Sequence, residues 1–381
     1  MARAPSRKPA GMKILSLVWF KVLPARFGGQ KGTALFTRAL AEQVPLVCLC
    51  ASDNEPDGPL PYRLRPELPP GRRSVVRPPV WRHIARVVQE EAPTHLLLEY
   101  PYHAYAAVRA AKRFGLKLVL HEHNIEYRRF RGLRHPAWRL LKAYERWACR
   151  QADLVLFKTE ADRRHALETF GLTETRTMIV PYGIDAPRAV APEEVAALRQ
   201  RWNIPGGARV FLFAATLDYL PNADALRALY REVAPRLDAA GTPYRIIVCG
   251  RNRSAAFQDL EALQHPAIIR AGEVPELAPY YAATDAFLNP VLGGGGVQTK
   301  VIDALAHRCP VLSFAFGAQG IDRGLCGEAF LTVADGNWAL FTGKALELAQ
   351  KGPEIPKAFL TRLSWEGIAT RTLEAFRHLD P

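Results

Sequence analysis

The chain has 381 residues, 49% of them hydrophobic, 23% charged and 9% aromatic, with a formal net charge of +14. That length accommodates two domains of roughly 150 to 200 residues, each with its own core, and the composition excludes collagen, coiled coil and low-complexity disorder. No apolar run approaches the ~20 residues that a spanning helix needs, so the sequence reads as cytosolic.

The first eleven residues carry Arg3, Arg7 and Lys8 but lack the apolar core and cleavage site of a signal peptide. They read as a disordered tail, or as lying upstream of a start at Met12. Candidate strands follow at residues 13–19, 44–50, 94–99, 116–121, 153–157 and 178–180, with helical-period stretches at 33–43, 81–91, 104–114 and 137–150. Residues 53–79, rich in Pro and Arg, read as an irregular surface excursion. The second half repeats the theme with strands at 210–214, 244–249, 267–270, 286–289 and 310–314. Strands alternating with helices imply parallel sheets covered on both faces, hence two doubly wound α/β domains. A boundary fits at residues 181–185, giving domains 1–185 and 186–381.

Charge separates the halves. Residues 1–185 hold 31 Lys and Arg against 17 Asp and Glu, whereas 186–381 hold 20 of each. The first half is therefore the one suited to an anionic partner. Its densest patch runs from Arg128 to Arg150, with eight basic residues against the single acid Glu145. On a helix over 137–150, Arg139, Lys142, Arg146 and Arg150 recur at spacings of three and four and form one stripe. Leu140, Leu141, Tyr144, Trp147 and Ala148 form a face that should dock on the sheet. Basic side chains with interleaved aromatics suit anionic lipid headgroups, which predicts salt-sensitive peripheral contact with the inner face of the cell membrane. A solvated helix face is the alternative. No nucleic-acid motif accompanies the charge. The six cysteines form no CxxC pair and no disulfide framework, and no His cluster has metal-ligand spacing.

In open α/β sheets ligands bind at the carboxyl ends of the strands, and two turns there stand out. Phe27-Gly28-Gly29-Gln30-Lys31-Gly32 follows the first strand, where glycines let a phosphate approach a helix N-terminus. It matches neither GxGxxG nor the P-loop. The second turn is Pro290-Val291-Leu292-Gly293-Gly294-Gly295-Gly296-Val297-Gln298-Thr299-Lys300-Val301-Ile302-Asp303-Ala304-Leu305-Ala306. Four consecutive glycines cost conformational entropy that a close ligand approach would justify. Lys300 and Asp303, three apart, are neighbours on the helix that follows, a cation and a carboxylate suited to a diphosphate and a sugar hydroxyl. His121 and His123 alternate at a strand end and are expected on opposite faces, with His123 toward the ligand. Glu122 and Glu126 are open as catalytic carboxylates or as helix caps and partners of nearby arginines, and Tyr100 and Tyr102 as lining for an acceptor or as packing.

Residues 290–306, followed by Cys309-Pro310-Val311-Leu312 and Gly317-Ala318-Gln319-Gly320, resemble the donor-site signature of retaining GT-B glycosyltransferases, specifically the glycine-rich branch of glycosyltransferase family 4. His123-Asn124-Ile125-Glu126, Val180-Pro181-Tyr182-Gly183-Ile184-Asp185, Leu217-Asp218-Tyr219-Leu220-Pro221-Asn222, Gly272-Glu273-Val274 and Ser364-Trp365-Glu366 fit the same family in order. The resemblance implies two Rossmann-like domains facing across a cleft. The nucleotide-sugar donor would bind the C-terminal domain and a glycan or lipid-linked acceptor the N-terminal one, with the last helix packing back toward the N-terminal domain. It places Asp303 at the ribose hydroxyls and Lys300 at the diphosphate. Gly28 and Gly29 fall in a loop closing on the phosphates, and Val274 falls at the base. Asn222, Gly294, Gly295, Gly296 and Val297 line the donor, and His123 lies on the sugar and acceptor side.

Several positions depart from the family pattern. Asp303 stands where Glu is usual, Gly295 replaces the first Glu of the pair, Gln298 replaces an arginine, and residues 215–222 carry no cation. Lys300 is thus expected to be the main side-chain charge on the diphosphate. Lys300, backbone amides and a helix dipole would stabilise the departing diphosphate. No D-x-D occurs, so neither metal nor cofactor is called for beyond the nucleotide sugar as co-substrate. A GT-B-type nucleotide-sugar epimerase and a non-catalytic nucleotide-sugar binder remain open as alternatives.

Overall fold

The computed structural model describes residues 11–25, 28–71, 80–294 and 297–379. They divide into unit 1, which runs through Gly183 and resumes at Leu363, and unit 2, Ile184–Arg362. The tail 1–10 lies outside the described residues.

Unit 1 contains β1 (Ile14–Val18), α1 (Gly28–Ala41), β2 (Leu46–Ala51), β3 (Arg63–Leu68), α2 (Val80–Glu91), β4 (His95–Glu99), α3 (Ala104–Phe114), β5 (Lys117–Glu122), α4 (Glu126–Gly132), α5 (Trp138–Gln151), β6 (Leu154–Phe157), α6 (Glu160–Phe170) and β7 (Thr177–Ile179). The seven strands run parallel in the order β3-β2-β1-β4-β5-β6-β7. Strands β1, β2, β4 and β6 are buried along their whole length, as a parallel sheet covered on both faces requires. Ends are marked by local chemistry. Thr159 accepts from the Asp162 amide to cap α6, and left-handed Gly115 and Gly171 terminate α3 and α6.

The 53–79 stretch is not wholly irregular. Its central part is β3, paired with β2 at the sheet edge; residues 72–79 are outside the described set. The strand was hidden because an edge strand is half solvated and can carry Pro66. Its exposed Arg63 and largely covered Arg65 bind Glu91, at 2.7 and 3.3 Å.

Unit 2 contains α7 (Pro192–Arg201), β8 (Arg209–Ala214), α8 (Leu220–Ala228), α9 (Ala234–Ala239), β9 (Tyr244–Cys249), β10 (Ile268–Gly272), α10 (Ala278–Ala282), β11 (Ala286–Asn289), α11 (Thr299–Ala306), β12 (Val311–Phe314), α12 (Arg323–Cys326), β13 (Phe330–Val333) and α13 (Trp338–Lys351), with α14 (Lys357–Leu363) leading out of it. Its strands are also parallel, ordered β10-β9-β8-β11-β12-β13. Strand β13 was absent from the sequence reading, being four residues isolated between Gly327 and Gly336.

The final helix, α15 (Trp365–Arg377), belongs to unit 1. Ser364 caps it through the Gly367 amide, and Ile368, Ala369, Thr372, Leu373 and Phe376 form its buried stripe. The apolar members of that stripe join Phe36 and Leu40 of α1 in one core. Burying each large side chain contributes roughly 1.5–3 kcal/mol. A Cβ on Gly183 would lie 2.4 Å from the Trp365 ring, so the Pro-Tyr-Gly segment needs its glycine for this contact.

Candidate functional site

The carboxyl ends of the unit 2 strands gather the residues expected at the donor. After β8 the chain turns through Tyr219 into α8, whose first turn carries Asn222. After β11 it turns through the glycine run into α11, whose first turn carries Lys300. The two turns are tied together, since the Lys300 ammonium donates to Asn222 Oδ1 at 2.6 Å while Asn222 Nδ2 donates to the Thr216 carbonyl at 2.8 Å. Burial lowers the Lys300 pKa to about 7, and the ammonium sits 5.3 Å from the Phe213 ring centroid.

Gly294 has φ +113°, and a Cβ there would stand 2.8 Å from the Tyr219 hydroxyl. Gly294 therefore lies against the β8–α8 turn in a backbone conformation that favours glycine, whereas a Cβ on Gly293 would meet nothing within 4 Å. Gly295 and Gly296 lie outside the described residues. Val297 and Gln298 lead into α11, which has neither a side-chain cap nor an acid in its first turn, so its amides and dipole are positioned for an anion. Asp303 lies one turn on and half-buried, its carbonyl accepting from His307 Nδ1 at 2.8 Å. Val274 is half-buried in the turn after β10.

Sequence reasoning missed the bracing of these turns. Asn289, fully buried at the end of β11, donates to Ser313 Oγ at 2.9 Å and to the Gly317 carbonyl at 3.3 Å. Two cations were missed as well. Arg251 and Arg253 follow β9, but both are engaged by acids, Arg251 with Asp218 at 3.3 Å and Arg253 with Glu273 at 2.5 Å. The described hydrogen bond of Lys300 goes instead to a neutral amide.

In unit 1 the expected glycine loop is a helix. Gly28 and Gly29 form the first turn of α1, five residues before the expected start. A Cβ on Gly29 would touch nothing within 4 Å, whereas one on Gly32 would stand 3.3 Å from the Tyr182 ring. Phe27 is outside the described residues.

The strand ends of unit 1 build a buried polar cluster. Apolar strands β4, β5 and β6 terminate in or beside Glu99, His121 and Lys158. His121 and His123 do not point to opposite faces. Strand β5 ends at Glu122, so alternation stops there and both rings converge on Glu99. His123 Nε2 lies 2.5 Å and His121 Nδ1 3.0 Å from the same Glu99 oxygen, with the rings 4.2 Å apart. Burial opposes the Glu99 charge, but the two histidines more than offset it and hold the carboxyl well below its ordinary range. Burial, then the charge of Lys158, pushes His121 down to about 3, and burial lowers His123 despite Glu99. Lys158 is drawn down to about 8 by burial, with Glu99 opposing, and its ammonium has no hydrogen-bond partner among the described residues.

Tyr100 stacks on His123 with centroids 4.3 Å apart. Its backbone is at φ +67°, ψ 157°, a region that costs a non-glycine residue on the order of 1–3 kcal/mol. Glu99, His121 and His123 place their ligand atoms within 4.8 Å of one another, a spacing that suits a metal; the ammonium of Lys158 beside them opposes a divalent cation. Glu126, an open catalytic candidate from sequence, is committed to structure. It accepts from the Tyr102 hydroxyl and from Arg129 Nε at 3.0 Å.

The basic patch is rearranged as well. Leu140 does not dock but is 77% exposed, because the buried stripe of α5 is Glu145, Ala148 and Cys149, flanked by half-buried Leu141 and Tyr144. Glu145 is not a surface acid. Its carboxyl accepts from the Glu126 and Tyr127 amides at 2.6 and 2.9 Å, capping α4, and burial raises its pKa to about 8. Arg150 leaves the stripe to donate to the Phe170 carbonyl at 2.6 Å, and Lys142 lies over the Tyr127 ring. Arg131 and Arg139 flank Trp138 at 5.4 and 5.3 Å, Arg146 is exposed, and Leu133 is 69% exposed. No helix among the described residues is long and apolar enough to cross a membrane.

Residues 28–188 match the family model Glycosyltransferase Family 4, and residues 208–351 match Glycosyl transferases group 1. A D-inositol 3-phosphate glycosyltransferase of Kineococcus radiotolerans is 27% identical over 198 residues, 48% of this chain and 43% of that protein. The aligned part thus spans less than half of that relative's length. Among solved structures, a glycosyltransferase from Rickettsia africae has a TM-score of 0.69 at 14% identity, covering 97% of this chain and 99% of its own. Sucrose-phosphate synthase from Thermosynechococcus elongatus gives 0.69 at 18%, with the same coverages. Anabaena HepE in complex with UDP gives 0.69 at 16%, covering 96% and 100%.

Proposed function

The chain belongs to the GT-B glycosyltransferases, with a family 4 N-terminal part and a group 1 C-terminal part, and from that premise we propose that it transfers a glycosyl group from a nucleoside-diphosphate sugar to a glycan or lipid-linked glycan acceptor. The observation that carries this reading is the braced pair of turns in unit 2. There Lys300 and the uncapped start of α11 meet a glycine loop whose Gly294, at φ +113°, lies against Tyr219 of the other turn. Such a site places positive charge where a leaving diphosphate becomes negative. Lys300 takes the diphosphate, Asp303 the ribose, Val274 the base side, and His123 the sugar and acceptor side. Asn222, Gly294 and Val297 complete the donor wall. Transfer proceeds with retention of anomeric configuration and without a metal or further cofactor. Relatives seen with UDP support a nucleotide donor.

The exposed tip between α4 and α5 supports a second part of the proposal, contact with an anionic membrane on the cytoplasmic side. Leu133 and Leu140 stand exposed beside Arg131, Arg134, Arg139 and Arg146, and the nearby acids Glu126 and Glu145 are buried. Each basic residue near anionic headgroups contributes about 1 kcal/mol, while the leucines suit the interface.

The test is a panel of nucleotide sugars screened for thermal stabilisation, followed by assay of nucleoside diphosphate release and product configuration. Stabilisation with acceptor-dependent release supports a transferase. Interconversion of the sugar nucleotide without an acceptor indicates an epimerase, and binding without release indicates a non-catalytic binder.

A further inference from the structure

The two nitrogens of His123 are not equivalent. We infer that Glu99 is the positioning residue for His123: its carboxylate takes the Nε2 proton, so that the Nδ1 lone pair is the atom that accepts from a substrate hydroxyl. This rests on the placing of His123 on the sugar and acceptor side.

Geometry fixes the tautomer. An ionised carboxylate only accepts hydrogen bonds, so at 2.5 Å from Glu99 the Nε2 atom of a neutral ring must carry the proton. Nδ1 then has a lone pair. It has no hydrogen-bond partner among the described residues, yet unlike both nitrogens of His121 it keeps accessible surface. Stacking by Tyr100, from a backbone conformation foreign to non-glycine residues, holds the ring plane.

The charges around the ring agree. Glu99 from β4, His121 from β5, Lys158 beyond β6 and Glu126 from α4 are the titratable groups that act on it. With both histidines neutral, the negative Glu99 is balanced by the positive Lys158, so the buried set is neutral without a proton on His123. A divalent cation in place of this arrangement would leave net positive charge in a low-dielectric site. The pairing is that of a carboxylate orienting an imidazole, in which the carboxylate selects tautomer and direction.

Two measurements test it on the full chain. The first needs no turnover. In protein labelled with 15N-histidine, with His123 assigned by its loss in His123→Gln, the ring should be the neutral Nε2–H tautomer at pH 7. An Nδ1–H tautomer, or about one equivalent of tightly bound zinc in the purified protein, overturns the inference. The second follows donor turnover. Glu99→Gln should lower kcat on the order of a hundredfold, leaving the donor KM unchanged. It should move the acid limb of the pH profile to lower pH, because the Glu99 charge raises the His123 pKa. Glu99→Asp, which keeps the charge, should retain the limb and recover part of the rate. A folded Glu99→Gln protein with unchanged rate and limb contradicts the inference. Absence of turnover with every nucleotide sugar contradicts the functional reading instead, and the tautomer still decides this one.

Discussion

The two units solve the problem of holding charge at a parallel-sheet edge in opposite ways. Unit 2 keeps one half-buried ammonium, Lys300, on a neutral amide beside a glycine loop and an uncapped helix, so its positive charge lacks a described acid partner. Unit 1 seals Glu99, His121, His123 and Lys158 together, where carboxylate and ammonium offset each other within the cluster. Under the proposed function an anion completes the first arrangement, whereas in the second the carboxylate and ammonium offset each other without one. Placement decides chemistry here more than residue type does. Two lysines, each the neighbour of a strand end or helix start, are led to different tasks by what stands next to them.

That contrast predicts separable effects of substitution. Lys300→Ala should have the largest, a loss of nucleotide binding and turnover worth on the order of 2–4 kcal/mol, with the melting temperature of the free protein little changed. Near-normal turnover in the folded variant would remove Lys300 from the donor site. In unit 1 the corresponding loss should be in stability. Glu145→Ala strips the acceptor from two buried amides of α4 and should cost about 2–3 kcal/mol in denaturant titration, leaving nucleotide affinity intact.

The pH dependence has a defined sign. Glu145 has a raised pKa in the folded protein, so it favours folding fully at pH below its unfolded value near 4.5. That contribution is lost as pH rises to about 8. Glu145→Gln should flatten stability over this window.

Smaller effects sharpen the comparison. Asp303→Asn should weaken nucleotide binding by about 1 kcal/mol, and Asp303→Glu should be tolerated. A nucleotide-bound structure with Asp303 far from the ribose would end that assignment. Reversing Arg131, Arg139 and Arg146 to Glu should abolish flotation with anionic liposomes at low salt. Unchanged flotation, or none in the wild type, makes the tip an ordinary solvated surface.

How much was legible beforehand follows from the kind of signal each part carries. The apolar runs behind β1, β4, β9 and β11 were visible because buried parallel strands are continuous hydrophobic segments. Strand β3 was not, since an edge strand with Arg63, Arg65 and Pro66 looks like a loop. On the donor side, Lys300, Asp303 and the glycine run could be read from local spacing. The Lys300–Asn222 bond spans 78 positions and could not. The unit 1 cluster left a trace that went unread. Three apolar strands each run into a titratable residue, Glu99, His121 or Lys158. Register then sets Glu99 beside His121, a pairing no single segment reveals. Period-2 reasoning failed at His123 because the strand had already ended, and the 100° step of α5 left Leu140 just off the buried stripe.

The central claim is that Lys300 in unit 2 is the cation for a nucleotide diphosphate, and calorimetric titration of nucleoside diphosphates tests it most directly. The titrations would compare wild type and Lys300→Ala between pH 7.5 and 9, where the terminal phosphate is already fully ionised. Because burial sets the Lys300 pKa at about 7 in the free protein, binding must take up a proton above that pH. The account predicts that wild-type affinity falls by up to about tenfold per pH unit, while Lys300→Ala binds weakly with no such slope. Equal affinity in the two proteins, or a wild type indifferent to pH across this range, would contradict it.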